Sequence, residues 1–182
     1  SNVSTKETVE VIKRAKLNGI KITCDTSPPY FSLNELELST YDTSFKLSPP
    51  LRNEEDRIAI QNAIFDDTID VITSDHKPMS NDTKILPFTS ASTGASGIET
   101  LLPLTLNLLN KSDVSIMNIL KKITLNPSKL FKVEIPKIKS NEKANFIIFD
   151  PNEQYLINKD LLQTSPTPCL LYTSPSPRDI GE

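Results

Sequence analysis

The chain has 182 residues, 37% of them hydrophobic and 24% charged, with a formal net charge of −3. That balance fits one folded domain with a sizeable core rather than a disordered tail. There is no basic stripe with interleaved aromatics to meet nucleic acid, and no apolar run approaches the roughly 18 residues that span a bilayer.

Cys24 and Cys169 are the only two cysteines, too few for a disulfide framework or a thiolate zinc site. No secretory leader is read at Ser1, so a reducing cytoplasm is the expected setting. Ser4 and Glu7 in "STKE" have the spacing of a capping box. The helix expected after them, "ETVEVIKRAKLN", carries Val9, Ile12 and Leu17 towards one face and stops at Gly19. "IKITCD" alternates like a short strand. "SFKLS" reads as a second, weaker strand, closed by Pro49 and Pro50. Asn53 is placed to cap the helix "EEDRIAIQNAIF", whose first turn is acidic, as the helix dipole favours. A buried strand "IDVITSD" follows, then a polar loop ending in "STGASG". Ser96 and Glu99 are spaced as a second capping box before "IETLLPLTLNLLN", where Pro103 fits only in the first turns. Asp113 is the expected cap of "VSIMNILKKIT", and Pro127 ends or redirects that helix. "NFIIFD" and "QYLI" read as two late strands.

Strands alternating with helices imply parallel βαβ units. A closed eight-stranded barrel takes about 250 residues. Three strands, with a fourth at the very start, therefore point to part of a barrel followed by a small β appendage. From Ser165 the sequence changes character: prolines crowd "SPTPCLLYTSPSPRDIGE" and periodicity is lost. As a bland reading this is a flexible linker. "CLLYTSPSPRD" also resembles the translation of a sequencing adapter, so the tail is expected to be unstructured and foreign to the native protein.

Four pieces carry a resemblance to the dihydroorotases, cyclic-amide hydrolases of the amidohydrolase superfamily. "NVSTKETVEVIKRAK" resembles the segment opening with "HVST". "YDTSFKLSPPLRNEEDR" resembles the stretch around "FK-PPLR-EEDR". "TIDVITSDHKP" resembles "TID-I-TDHAP". "LPFTSASTGASGIETLLPL" resembles the loop that closes over substrate and its helix. The resemblance covers about 2–160. It implies an α/β fold, a partial (β/α)8 barrel of the TIM type with strands of a small β-domain. Residues 1–135 would form the C-terminal half of the barrel, 136–164 strands of the appended β-sandwich, and 165–182 the tail. The missing N-terminal half of the barrel would be a partner to this chain. The implied activity interconverts dihydroorotate and carbamoyl aspartate in pyrimidine biosynthesis, with zinc activating water.

On that resemblance Asp75 is the catalytic aspartate, a general base that would also touch the metal. Ser48, His76, Met79 and Gly94 are the expected substrate-contacting positions. The same comparison exposes departures. Asn2 stands where "HVST" has histidine. Pro29 and Tyr30 stand at the last two positions of "TPHH" or "CPHY", where a histidine ligand lies, and a tyrosine is a poor zinc ligand. Met79 replaces a histidine after "DHAP", and Ser48 replaces an asparagine. Proline cannot bind a metal, and an amide is a poor zinc ligand. Two readings follow. One is a zinc-free homologue with a structural role, such as holding aspartate carbamoyltransferase subunits together. The other is an active zinc enzyme acting on a small cyclic amide, its metal held chiefly by residues outside this chain.

Each site residue also has a plain reading. Asp75 can merely end a strand in a polar turn. His76 alone is an ordinary hydrogen-bonded loop histidine. Gly94 and Gly97 either offer N–H groups to a substrate carboxylate or form a common helix-leading loop. Arg52 either binds an anion or makes a surface ion pair. Cys24 reads as core.

Overall fold

The structure, a computed structural model, describes residues 1–111, 113–135, 137–142 and 145–151. The first helix, α1 (Lys6–Leu17), begins after Thr5, whose hydroxyl accepts from the Thr8 N–H. The cap is thus one residue later than the Ser4–Glu7 spacing suggests, and Ser4 itself is buried. Val9 and Ile12 face the core, but Leu17 is 79% exposed. The helix stops at Asn18, and Gly19 turns the chain with φ 77°, where a Cβ would be strained.

Strand β1 (Asp25–Thr26) pairs in parallel with β2 (Val71–Ile72), with Asp25 opposite Val71 and Thr26 opposite Ile72. Alternate carbonyls along an extended segment face opposite neighbours. Cys24 O and Thr26 O accept from Val71 and Thr73, whereas Asp25 O accepts from Val3 N at 2.8 Å. Val3 therefore lies on the far edge of β1, and the Val3 segment, β1 and β2 run side by side. Between β1 and β2 come a short α2 (Pro28–Ser32), two 3₁₀ turns and α3 (Glu54–Phe65). Helices α1 and α3 pack against each other, as successive βα units of a barrel wall do.

Helix α3 has the bounds its sequence predicts. Asn53 Oδ1 accepts from Asp56 N at 2.9 Å, and three acids fill the first turn. Its Ile60, Ala63 and Ile64 enter a core with Val9, Ile12, Phe31, Ile69, Ile72 and Ile119. Buried Gln61 is satisfied by Phe31 O at 2.6 Å. A second apolar cluster of Tyr30, Leu33, Phe45, Leu47, Leu51 and Ala95 lies under the strand ends.

Other expectations shift. "SFKLS" forms no strand: Thr43–Phe45 is a 3₁₀ turn capped by Asp42, and Lys46 is tied sideways to the 84–94 segment instead of lying along a strand. Helix α4 (Asn81–Lys84) interrupts the polar loop. Helix α5 (Leu101–Leu106) starts after Thr100 with no side-chain cap, so Ser96 and Glu99 do not begin it; Pro103 sits in its first turn. Ser115, not Asp113, caps α6 (Ile116–Ile123), and the chain breaks at Thr124 before α7 (Leu125–Phe131), which places Pro127 in a new first turn. "NFIIFD" meets no pairing strand among the described residues, and Ile147 and Ile148 are 75% and 91% exposed. "QYLI" and the tail from Ser165 lie outside the described residues.

The N-terminal end of β2 is pinned by charge. Lys16 Nζ bonds both Asp70 oxygens, at 2.7 and 2.8 Å, and Thr68 O; Asp70 Oδ2 also accepts from Cys24 N. Lys122, only 2% exposed, donates to Asp67 Oδ1 and Ile69 O. No helix among the described residues is long and apolar enough to cross a membrane.

Candidate functional site

The candidate residues gather at the other end, where the strands finish. Beyond β2, Thr73 N still bonds Thr26 O at 2.9 Å. Two residues later Asp75 takes φ 43°, a left-handed conformation that aspartate tolerates better than bulkier residues. The chain turns there, which puts the carboxylate at the strand mouth with only 18% of its side chain exposed. Its Oδ1 lies 2.8 Å from Lys77 Nζ.

His76 bridges in parallel to Ala95. Its Nδ1 accepts from Gly97 N at 3.2 Å and Ile98 N at 3.4 Å. Those bonds need a bare Nδ1, which leaves the ring proton on Nε2. Lys77 N donates to Ala95 O at 2.9 Å, so residues 76–77 and 95–98 form one continuous wall. Both glycines are required by close approach. A Cβ on Gly94 (φ 129°) would lie 2.7 Å from Lys77 O and 3.2 Å from Met79 Cε, and one on Gly97 would lie 2.3 Å from Ser74 O. Gly94 N donates to Lys46 O and Gly97 N to His76. Both N–H groups are therefore engaged within the chain rather than held out for a carboxylate.

The opposite side of the mouth comes from β1 and α2. Tyr30, 3% exposed, donates its hydroxyl to Pro49 O at 2.8 Å. Burial, seconded by the Asp75 charge, pushes its pKa well above the usual tyrosine range, while Arg52 opposes that rise. Tyr30, Asp75 and Arg52 thus share one electrostatic neighbourhood. Arg52 Nε and Ser27 Oγ are buried there without a hydrogen-bond partner, so Arg52 is not the simple surface residue of the plain reading. Ser48 is exposed, just before the cis Ser48–Pro49 peptide, and Met79 packs by Gly94. Asn2, at φ 55°, precedes the Val3 edge of β1, and Pro29 is half-buried in α2.

Two lysines tie the 43–46 segment to the 84–91 loop. Lys46 Nζ donates to Phe88 O, Thr89 O and Ala91 O at 2.7–2.9 Å. Buried Lys84 donates to Thr43 O, and Thr43 Oγ1 returns a bond to Lys84 O. Sequence reasoning missed Lys77, Ser27 and Lys46, whereas it had already placed Tyr30 at a resembled histidine position. For Lys77 a signal existed, since the resembled "DHAP" has alanine at that place.

The description "Amidohydrolase family" fits residues 2–173. The chain belongs to that family. It is 37% identical over 164 residues to a dihydroorotase of Clostridium acetobutylicum, covering 90% of this chain and 39% of the relative. It is 36% identical over 157 residues to a dihydroorotase of Anaplasma phagocytophilum, covering 86% of this chain and 35% of that one. The chain thus spans about two fifths of the length of the curated relatives it matches. Among solved structures, the L-hydantoinase (dihydropyrimidinase) from Arthrobacter aurescens superposes with a TM-score of 0.67 at 29% identity, over 72% of this chain and 30% of that one. A D-hydantoinase reaches a TM-score of 0.79 at 22% identity, over 88% and 37%, a likeness of fold alone. The inactive dihydroorotase-like domain of a Chaetomium thermophilum CAD-like multifunctional protein gives 0.54 at 21%, over 74% and 36%. The chain is thus an amidohydrolase-family member similar to dihydroorotases and hydantoinases, and its described residues fit part of that family's TIM-type barrel.

The resemblance implies a zinc centre, and the residues present do not fit one. A catalytic zinc takes about three protein ligands, mostly imidazole or carboxylate. Among the described residues no three His, Cys, Asp or Glu side chains gather closely enough to hold a metal ion. Pro29 offers no donor atom, Tyr30 hydroxyl is donating to Pro49 O, His76 Nδ1 is taken by two N–H groups, and Asp75 Oδ1 faces an ammonium.

Proposed function

We propose that this chain belongs to a dihydroorotase-like homologue of pyrimidine biosynthesis whose strand mouth holds no catalytic zinc. Its role is structural, in assembly with aspartate carbamoyltransferase, once the rest of the barrel completes the fold. One observation carries the reading: Asp75 Oδ1 is bonded to Lys77 of the same chain, while Asn2 and Pro29 stand at the resembled histidine positions. The experiment uses the full-length protein purified from zinc-containing medium. Zinc per chain, dihydroorotate turnover and co-elution with aspartate carbamoyltransferase are measured. The expected result is far less than one zinc per chain, no turnover and a stable complex. Stoichiometric zinc that survives dialysis against a mild chelator, with turnover, would overturn it.

The identity to curated dihydroorotases favours a second reading, an active enzyme on a cyclic amide with Asp75 as general base. Asp75 would then accept the proton of the attacking water and return it to the leaving nitrogen. On that reading Asp75→Asn lowers turnover by about 10²–10⁴-fold, and His76→Asn lowers it less. Retention of more than about a tenth of parental turnover, a difference under about 1.4 kcal/mol, would exclude the role.

A further inference from the structure

We infer that Lys77 is the resident cation of the strand mouth, the residue that occupies Asp75 and keeps a metal ion from it. The inference rests on the metal-free reading above and names the residue that enforces it.

The ammonium stands 2.8 Å from Asp75 Oδ1, against a carboxylate only 18% exposed, although Lys77 itself is half exposed. Its position is not that of a free surface lysine. The Lys77 N–H is bonded to Ala95 O. Its carbonyl and Cβ lie 2.7 and 3.0 Å from where a Gly94 Cβ would stand, so only glycine lets the neighbouring loop close against it. The backbone on both sides of the side chain is therefore fixed. His76, between the two charged residues, is held by its own bonds to the 97–98 backbone, so its ring does not come between them.

The competition this sets up is unequal. A metal ion must be captured from solution, whereas Lys77 is covalently tethered two residues from its acceptor and acts at a high effective concentration. A zinc site needs about three protein ligands; with Asp75 engaged and two positions lacking imidazole, the remaining donors are too few. A cation that did approach would also meet an ammonium at short range in a partly desolvated place, where like charges repel strongly. The alanine of the resembled "DHAP" would do none of this.

The test restores the imidazoles and varies only the charge at residue 77. In the full-length protein, Asn2→His/Pro29→His is combined with Lys77 retained, Lys77→Ala, Lys77→Gln or Lys77→Arg. Binding of cobalt(II), used as the probe, is followed by its visible absorption and by equilibrium dialysis, with circular dichroism to confirm folding. The expected result is at least tenfold tighter cobalt binding with Ala and Gln than with Lys, and binding with Arg as weak as with Lys. Equal affinity with Lys and with the neutral residues, no binding in any background, or tightening with Arg would each overturn the inference. If the unmodified parent takes up stoichiometric cobalt, the metal-free reading fails as well. If the parent stays metal-free and the neutral residues change nothing, only the role of Lys77 fails.

Discussion

Gly97→Ala strikes the wall that positions Asp75 and His76. The added Cβ would lie 2.3 Å from Ser74 O, and real Cβ atoms essentially never approach a heavy atom closer than 3.0 Å. The obstacle is a backbone carbonyl, which cannot swing aside as a side chain can. The 97–98 segment must therefore retreat by roughly 0.7 Å from the 74–77 segment. Three bonds cross that seam: Gly97 N and Ile98 N to His76 Nδ1, and Lys77 N to Ala95 O. At about 1 kcal/mol net for each, losing two or three costs about 2–3 kcal/mol. That corresponds to roughly 30- to 150-fold faster opening of the seam. Hydrogen exchange on the full-length protein reads this at peptides covering 74–79 and 94–98, alongside thermal denaturation. Gly19→Ala is the control: Gly19 also has a positive φ, but nothing lies within 4 Å of its added Cβ. Its local strain should leave exchange at the mouth untouched. If Gly97→Ala exchanges like the parent across both segments, the close approach is wrong and so is the wall built on it.

Asn53→Ala removes the side-chain oxygen that accepts from Asp56 N and should lower stability by about 1 kcal/mol in chemical denaturation. Ile64 is 0% exposed, so Ile64→Ala should cost about 2–5 kcal/mol and Ile64→Val about 0.5–1.5 kcal/mol. Cys24 is buried, its thiol donates to Thr68 O, and burial first, then the nearby Asp70 charge, raises its pKa. The raised value favours the neutral thiol in the folded state. Its stabilising contribution is therefore complete below the ordinary thiol range and is lost as pH rises through the folded value. Thiol-reagent kinetics at mildly alkaline pH should show Cys24 reacting far more slowly than a free cysteine, and a parental rate equal to that of an unfolded control would refute this.

What the sequence made legible was local. Helix α3 announces itself through Asn53, its acidic first turn and its apolar spacing, and the structure starts and stops it at those residues. The strand leading to Asp75 is equally plain, an apolar run ended by an acid. Cap positions slipped where a neighbouring hydroxyl competed: Thr5 displaced Ser4, and Ser115 displaced Asp113. "SFKLS" has strand-like alternation, yet Lys46 finds three carbonyls about 42–45 residues away and Thr43 exchanges bonds with Lys84. Such tertiary ties override local propensity, and pattern reading cannot see them. The Lys77–Asp75 pair was hidden differently. Both residues were visible, but the pairing depends on a left-handed turn at Asp75 that aspartate only permits and does not dictate.

The two ends of β2 divide stability from chemistry. At the N-terminal end Lys16, Asp70, Lys122 and Asp67 satisfy one another and the nearby carbonyls, and the apolar core closes directly above them. At the C-terminal end the backbone is bent at Asp75, crowded at Gly94 and Gly97, and lined by Ser27 Oγ and Arg52 Nε with no hydrogen-bond partner. This separation explains how positions 2 and 29 could lack histidine while the family's barrel arc persists. None of the bonds at the pinned end involves residue 2, 29, 75 or 77. Chemistry at the mouth can therefore change, down to an ammonium beside Asp75, without drawing on the contacts that keep the strands in register.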